Sequence, residues 1–301
     1  MRKAPFEHIV EIEKIGKKNE KKLGDVLTLS SKEKLLIEER RKKVLFIGID
    51  YQYDFMEDGA LPVLGSHKDV ENVTRFIYEN LEKITNISVS LDTHEPSQIF
   101  HECWWENEQG EHPQPFTIIT AEDVLTNKWK PLYEREKSLK YVQNLEKYGK
   151  KQLCIWNYHC IKGTEGASLE GQFANMIHYH SSVHKTPIEK IVKGENPLSE
   201  MYGIIKSEHA EKDDTNYSFL NHLKEYDRII IAGEAKSHCV LESIKQITHY
   251  YRNDYNLTSN IIVLQDCMSS IQGFEEETEK EYAHLARTHG IKLMNWKDVR
   301  L

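Results

Sequence analysis

A chain of 301 residues, 39% hydrophobic and 29% charged, is long enough for one large or two small α/β domains and apolar enough for a globular core. Its net charge of -8, from 40 basic and 48 acidic residues, argues weakly against nucleic acid as the main partner. No apolar run approaches the roughly 20 residues of a membrane span, and the opening MRKAPFEHIVEIEKIGKK lacks the apolar region of a signal peptide.

Residues 1–43 are highly charged and end in EERRKK. Ile9, Ile12 and Ile15 fall at helical spacing, so the segment reads as an arm of one or two helices. Such an arm packs on the main body or a second subunit, or stays solvated.

From residue 44 the pattern changes to short apolar runs separated by amphipathic stretches. The runs are 44–49, 86–91, 152–156, 188–192, 228–233, 260–265 and 291–295. Helices are expected at 69–84, 138–149, 170–183, 198–209, 216–226, 238–254 and 276–289. Strands that are apolar throughout and alternate with helices predict an α/β domain over 44–301. Its mostly parallel, doubly wound sheet of about six strands would have helices on both faces, in three layers. Segment 101–137 fits neither pattern and reads as a long excursion over one end of the sheet.

Ligands of such sheets bind at the carboxyl ends of the strands. Asp50 follows the first run, Asp92 and His94 the second, His159 the third, Lys193 the fourth and Cys239 the fifth. Burying so many ionisable groups at one edge is costly unless they are partners. Asp50, Lys193 and Cys239 suit nucleophilic catalysis. A cation lowers a thiol's pKa, a carboxylate can take its proton, and an expected helix start at 238 would favour the thiolate. Asp92, His94 and His159 suit a divalent ion, because residues i and i+2 of an extended segment share a side. His101 is a candidate further ligand or pocket residue, and His238 an alternative activator of Cys239. The other cysteines, Cys103, Cys154, Cys160 and Cys267, form no CxxC pair or framework. Free thiols in a reducing cytoplasm are the expectation.

The motifs resemble those of the isochorismatase-like cysteine hydrolases, and among them the nicotinamidases. The family's D-x-Q-x-D-F is met by Asp50–Phe55 and its D-x-H followed by Pro by Asp92–Pro96, and Trp156-Asn157-Tyr158-His159-Cys160, with Gly166 beyond, stands at its W-P-x-H-C. Its Lys-Gly is met by Lys193 and Gly194, and its G-x-A-x-x-x-C-V by Gly233–Val240. The resemblance implies a triad of Asp50, Lys193 and Cys239, and one divalent ion on Asp92, His94 and His159. Zn²⁺ is the first choice, with Mn²⁺ or Fe²⁺ as alternatives. It also implies a cis peptide at Glu234–Ala235 that aims the Ala235 and Cys239 N–H groups into an oxyanion hole. Phe55 would line the pocket. The activity implied is hydrolysis of a small carboxamide through a cysteine thioester, nicotinamide to nicotinate and ammonia first. Another small amide or carbamoyl compound, or a non-catalytic metal- or redox-binding role, are the alternatives. A small-molecule partner and a homo-oligomer are expected, with no nucleic acid or membrane partner.

The chain departs from the family in three places. QIFH stands where H-x-S-F is usual, the stretch from His94 to His159 is long, and the arm is an addition. The long segment 101–137 is expected to cover the site, with Trp104 and Trp105 as a pocket wall. Alternatively, they pack against the sheet edge or a second subunit.

Overall fold

The computed structural model describes residues 3–31, 42–149 and 151–301. The expected helicity of residues 32–41, and most of the EERRKK run, lies outside the described residues. Six of the seven apolar runs form one parallel sheet: β1 (Val44–Ile49), β2 (Asn86–Asp92), β3 (Glu189–Lys193), β4 (Arg228–Gly233), β5 (Ile261–Leu264) and β6 (Lys292–Met294). Their spatial order is β6-β5-β4-β1-β2-β3, so the chain winds outward from β1 in both directions.

Strand β1 is buried throughout, and its side chains divide by their period of two. Val44 and Phe46 join one apolar cluster, with α2 (Ser66–Glu79) and α4 (Gly171–His184). Leu45, Ile47 and Ile49 join the other, with α5 (Tyr217–Leu223), α6 (Leu241–Tyr250) and α7 (Glu275–His289). Gly48 lets α4 approach closely, for a Cβ there would lie 2.8 Å from the Phe173 ring. The result is the three-layer, doubly wound α/β architecture. Among the described residues, no helix is long and apolar enough to cross a membrane.

The N-terminal segment shares the first cluster through Ile9, Val10, Ile15 and Val26. Only Phe6–Ile9 and Ile12–Lys14 form single helical turns, and α1 (Leu23–Ser30) packs on α4. The expected helical run through Ile9, Ile12 and Ile15 is broken by extended backbone at Val10 and Glu11. Backbone donors there are used by the main body instead: Glu11 N–H reaches Gln172 Oε1 at 2.8 Å and Gly16 N–H reaches Glu170 Oε1 at 3.2 Å.

Two expected elements differ from the expectation. Run 152–156 stays out of the sheet: Leu153–Cys154 pairs antiparallel with Ile118–Ile119. Both edges of β2 are already occupied, by β1 and β3. Leu153 and Ile155 instead enter a third apolar cluster, built by the excursion around Trp104, Trp105 and Tyr141 of α3 (Arg135–Asn144). Segment 198–209 forms no helix. Its N–H groups turn outward to side chains of α6, with Ile204 N donating to Ser243 Oγ at 3.2 Å and Ile205 N to Gln246 Oε1 at 3.1 Å.

Candidate active site

The carboxyl ends of β1, β2, β3 and β4 converge, and each ends on a chemistry-bearing residue or leads directly to one. Asp50, just past β1, adopts a left-handed φ of 48°, which Asp tolerates better than most residues. Its position is fixed by Ser90 of β2. The Asp50 N–H donates to Ser90 Oγ at 3.1 Å, and that hydroxyl donates to Asp50 Oδ1 at 2.5 Å. Gln52 holds the next strand end by its amide: Nε2 donates to the Asp92 carbonyl at 2.8 Å, and Oε1 accepts from Asp92 N–H at 2.7 Å. Asp54 accepts from the Cys160 N–H at 2.6 Å, next to His159. The D-x-Q-x-D-F motif is therefore largely a scaffold for its neighbours.

His159 arrives from the excursion rather than from the sheet. The His94 N–H donates to the Cys160 carbonyl at 3.0 Å and Lys162 N–H donates back to His94 O at 2.9 Å. This two-bond splice sets the two imidazoles 4.7 Å apart, centroid to centroid. At the end of β4, a Cβ on Gly233 would lie 2.1 Å from the Ile49 carbonyl oxygen, so only glycine fits. The Glu234–Ala235 peptide that follows is cis. Cys239 lies in a wide helical turn, Lys236–Val240, ahead of α6, rather than at the first turn of a helix beginning at 238.

Lys193 is the hub of the charges. Its buried ammonium lies 3.0 Å from Asp50 Oδ2, 2.9 Å from Asp92 Oδ1 and 3.8 Å from Cys239 Sγ, and donates to the Met201 carbonyl at 3.1 Å. Burial opposes its charge, yet Asp50 and Asp92 hold its pKa well above the ordinary lysine value. Burial pushes the Cys239 thiol well up despite Lys193. Burial also raises Asp50, against the pull of Lys193. Burial would raise Asp92 too, but His94 and Lys193 hold its carboxyl well below the usual range. The Cys239 sulfur and an Asp50 carboxylate oxygen lie within 4.8 Å of each other, so a carboxylate stands where it can take the thiol proton.

Asp92, His94 and His159 bring three ligand atoms within 4.8 Å of one another. His94 Nδ1 faces the Gly194 carbonyl at 3.2 Å and His159 Nδ1 faces the Asn157 carbonyl at 2.7 Å. Carbonyls only accept, so both Nδ1 atoms carry hydrogen and each ring turns its Nε2 toward Asp92. Those Nε2 atoms lie 3.0 and 3.8 Å from Asp92 Oδ2. Three ligand atoms gathered at one place, with the rings' outer nitrogens tied back, form a donor set that fits a divalent cation. His101 is buried but outside this set; burial, then His94 and His159, lower its pKa to about 3.

Cys239 of the first set and all three residues of the second border a pocket that encloses about 450 Å³ of space, open solvent included. Asp92, His94, His159 and Cys239 lie on its polar side, and Phe55, Leu61, Phe100, Trp156 and Ile271 on its apolar side. Glu200, Tyr202, Ala235 and His238 complete much of the wall. Trp104 and Trp105 do not line it. They are 4% and 0% exposed in the third cluster, and each indole N–H is satisfied there, by Ser138 Oγ at 3.0 Å and by the Ile99 carbonyl at 2.6 Å. The aromatic wall is instead made by Trp156 and Tyr202, which both donate to Glu200 Oε1. Ser90, Glu200 and Tyr202 have no sequence signal of their own; only their positions beside Asp50 and after Lys193-Gly194 could have drawn attention to them. His238 makes its polar contact to Ser237 Oγ at 2.8 Å, leaving Lys193 as the cation beside the thiol.

No protein-family model matches the chain, and no curated protein matches it. Solved structures do. The yeast nicotinamidase bound to the inhibitor nicotinaldehyde is similar with a TM-score of 0.59 at 18% identity, over 84% of this chain and 99% of that one. An Acinetobacter nicotinamidase/pyrazinamidase gives 0.55 at 18% identity, over 87% and 99%. The L. infantum protein in complex with nicotinate gives 0.52 at 16%, over 87% and 98%. The chain has the fold of these nicotinamidases.

Proposed function

We propose that this chain is a metal-containing cysteine amidohydrolase for a small carboxamide, with nicotinamide as the first substrate. The observation that carries the reading is the position of Cys239: its sulfur faces the Lys193 ammonium at 3.8 Å, lies within 4.8 Å of an Asp50 carboxylate oxygen, and borders a mostly apolar cavity. In the mechanism, Asp50 takes the thiol proton and the Cys239 thiolate attacks the carboxamide carbon. The oxyanion is held by Lys193 and by the backbone N–H groups of Ala235 and Cys239. Asp50 returns the proton to the leaving nitrogen, and the C–N bond breaks to release ammonia and leave a Cys239 thioester. Asp50 then deprotonates a water that attacks the thioester, giving the carboxylic acid and the free thiol.

Asp92, His94 and His159 would hold the ion, zinc by preference and manganese or iron as alternatives. When bound it supplies Lewis-acid polarisation of a ligand or water. Phe55, Phe100 and Trp156 suit one planar ring. That neighbours of the same fold are nicotinamidases, one solved with nicotinate, supports nicotinamide over other amides or carbamoyl compounds. The reading includes a cytoplasmic enzyme of NAD salvage, a homo-oligomer, and a division into an arm (1–43) and a hydrolase domain (44–301). The test is ammonia release from a panel of small amides by metal-replete protein. Nicotinamide should give the highest kcat/KM. Release from another amide alone would move the substrate, and no release from any would leave a non-catalytic metal- or redox-binding protein.

A further inference from the structure

Behind the turn that carries Ala235, two carboxyls are buried together. Asp69 lies in the first turn of α2 and Glu234 directly after β4, exposed by 4% and 0%. Ser269 bridges them. Its hydroxyl lies 2.5 Å from Asp69 Oδ2, its N–H donates to Glu234 Oε2 at 3.4 Å, and its carbonyl accepts from Lys236 N–H at 2.8 Å. Two residues on, Ile271 N–H donates to Ser237 Oγ at 3.0 Å. The loop after β5 is thus stitched to both sides of Ala235, and Ala235 and Ile271 both line the cavity.

Among the described residues, no N–H or O–H donor reaches the buried Glu234 Oε1. Glu234 and Asp69 are thus two buried carboxyls held on one serine, one of them with an oxygen that no donor reaches. Two such groups cannot both keep a negative charge there at low cost, and a hydrogen held between them relieves both. We propose that Asp69 and Glu234 are a positioning pair: one shared hydrogen between their carboxyls, with Ser269 bridging them, holds the Glu234–Ala235 turn and so fixes Ala235 and Cys239 at the cavity. The pair touches no substrate, and its effect on turnover rests on the amide-hydrolase reading above.

Burial pushes Glu234 well above the usual carboxylate range and Asp69 up to about 6, so near neutral pH the hydrogen sits on Glu234 and Asp69 accepts it. The charged groups facing the pair are Asp266, which opposes a second negative charge, and Lys236, which is itself ion-paired to Glu279. Tyr51 and Cys267, also alongside, are both pushed up by burial and stay neutral. Loss of the shared hydrogen at alkaline pH leaves two like charges in contact beneath the turn.

Asp69→Asn supplies the hydrogen permanently from its amide, whereas Asp69→Ala removes it. The asparagine variant should keep kcat within about threefold of wild type and stay active at alkaline pH where wild type falls; the alanine variant should lose about tenfold or more in kcat with little change in KM. The hydrogen is read directly by infrared difference spectroscopy at neutral pH, wild type against Glu234→Gln. The wild type should show the C=O stretch of a protonated buried carboxyl that the variant lacks. This reading holds whether or not any amide is turned over, and it still decides if Asp69→Ala does not fold. Absence of that band overturns the proposal. So does an alanine variant with wild-type kcat, or an asparagine variant as slow as the alanine one.

Discussion

The Lys193 ammonium lies 2.9 Å from Asp92 Oδ1, so the cation that faces the thiol is also ion-paired to the carboxylate at the centre of the metal set. The two sets of strand-end residues are therefore one network: Cys239, Asp50, Lys193 and Asp92 are linked in a chain, with the two histidines at its far end. Removing Lys193 would strand two buried carboxylates, which costs more than losing one contact. Variants at the ends of the network separate its functions more cleanly than variants at its hub.

Cys239→Ala removes a small buried side chain and should leave the fold intact. Ammonia release should fall by about 10³-fold or more, as for other lost nucleophiles. Steady-state assay with circular dichroism as the folding control checks this, and near-wild-type turnover would exclude the thioester route.

His94→Ala deletes one of three ligand atoms and should lower bound metal per chain, read by elemental analysis after dialysis. Gln52→Ala leaves all three ligands but frees the Asp92 backbone they depend on. It should weaken metal affinity by about 10–100-fold, the usual effect of losing an outer-shell partner. Unchanged metal content in both variants would refute the assignment.

Trp104→Ala and Trp105→Ala should destabilise the protein by about 3–5 kcal/mol, as for large buried aromatics, without changing the ranking of amides by kcat/KM. Trp156→Phe keeps most of the apolar volume but loses the N–H held by Glu200, and it should change that ranking. Thermal unfolding and the amide panel distinguish the two positions.

Burial, reinforced by Glu208, raises Glu200 from 4.5 to about 7. Its folded form binds a proton that the unfolded chain has already released between those values. The stability it contributes is thus full below about pH 4.5 and is lost as pH rises to about 7. Glu200→Gln should flatten this part of the stability curve, measured by denaturant unfolding at stepped pH. An unchanged slope would show that Glu200 titrates normally.

The sheet and the site residues were legible because chemistry-bearing residues stand directly after apolar runs, and a parallel sheet gathers such positions at one edge. Asp50, Asp92, His94, Lys193 and Cys239 all follow that rule. Leu153–Cys154 was misread because an apolar run shows that a strand is buried but not which edge is free to receive it. The irregular course of 198–209 was hidden because its backbone donors are satisfied by Ser243 and Gln246, some 40 residues distant. Trp104 and Trp105 were placed near the site by sequence distance, yet their indoles point into the excursion's own core. The partners Ser90 and Glu200 are ordinary residue types, set apart only by what the fold brings beside them.

The two-bond splice between His94 and the Cys160–Lys162 segment is the short seam by which the excursion meets the sheet at the metal set. Asp92 and His94 lie on the sheet side of that seam and His159 on the other. An ion held by all three is thus also a cross-link between two packing units. Its binding free energy adds to the work of prising them apart, by an amount that grows with the logarithm of free metal. Chelation should accordingly speed amide hydrogen exchange near His159 and the Trp156 wall, while the core of β1 keeps its protection.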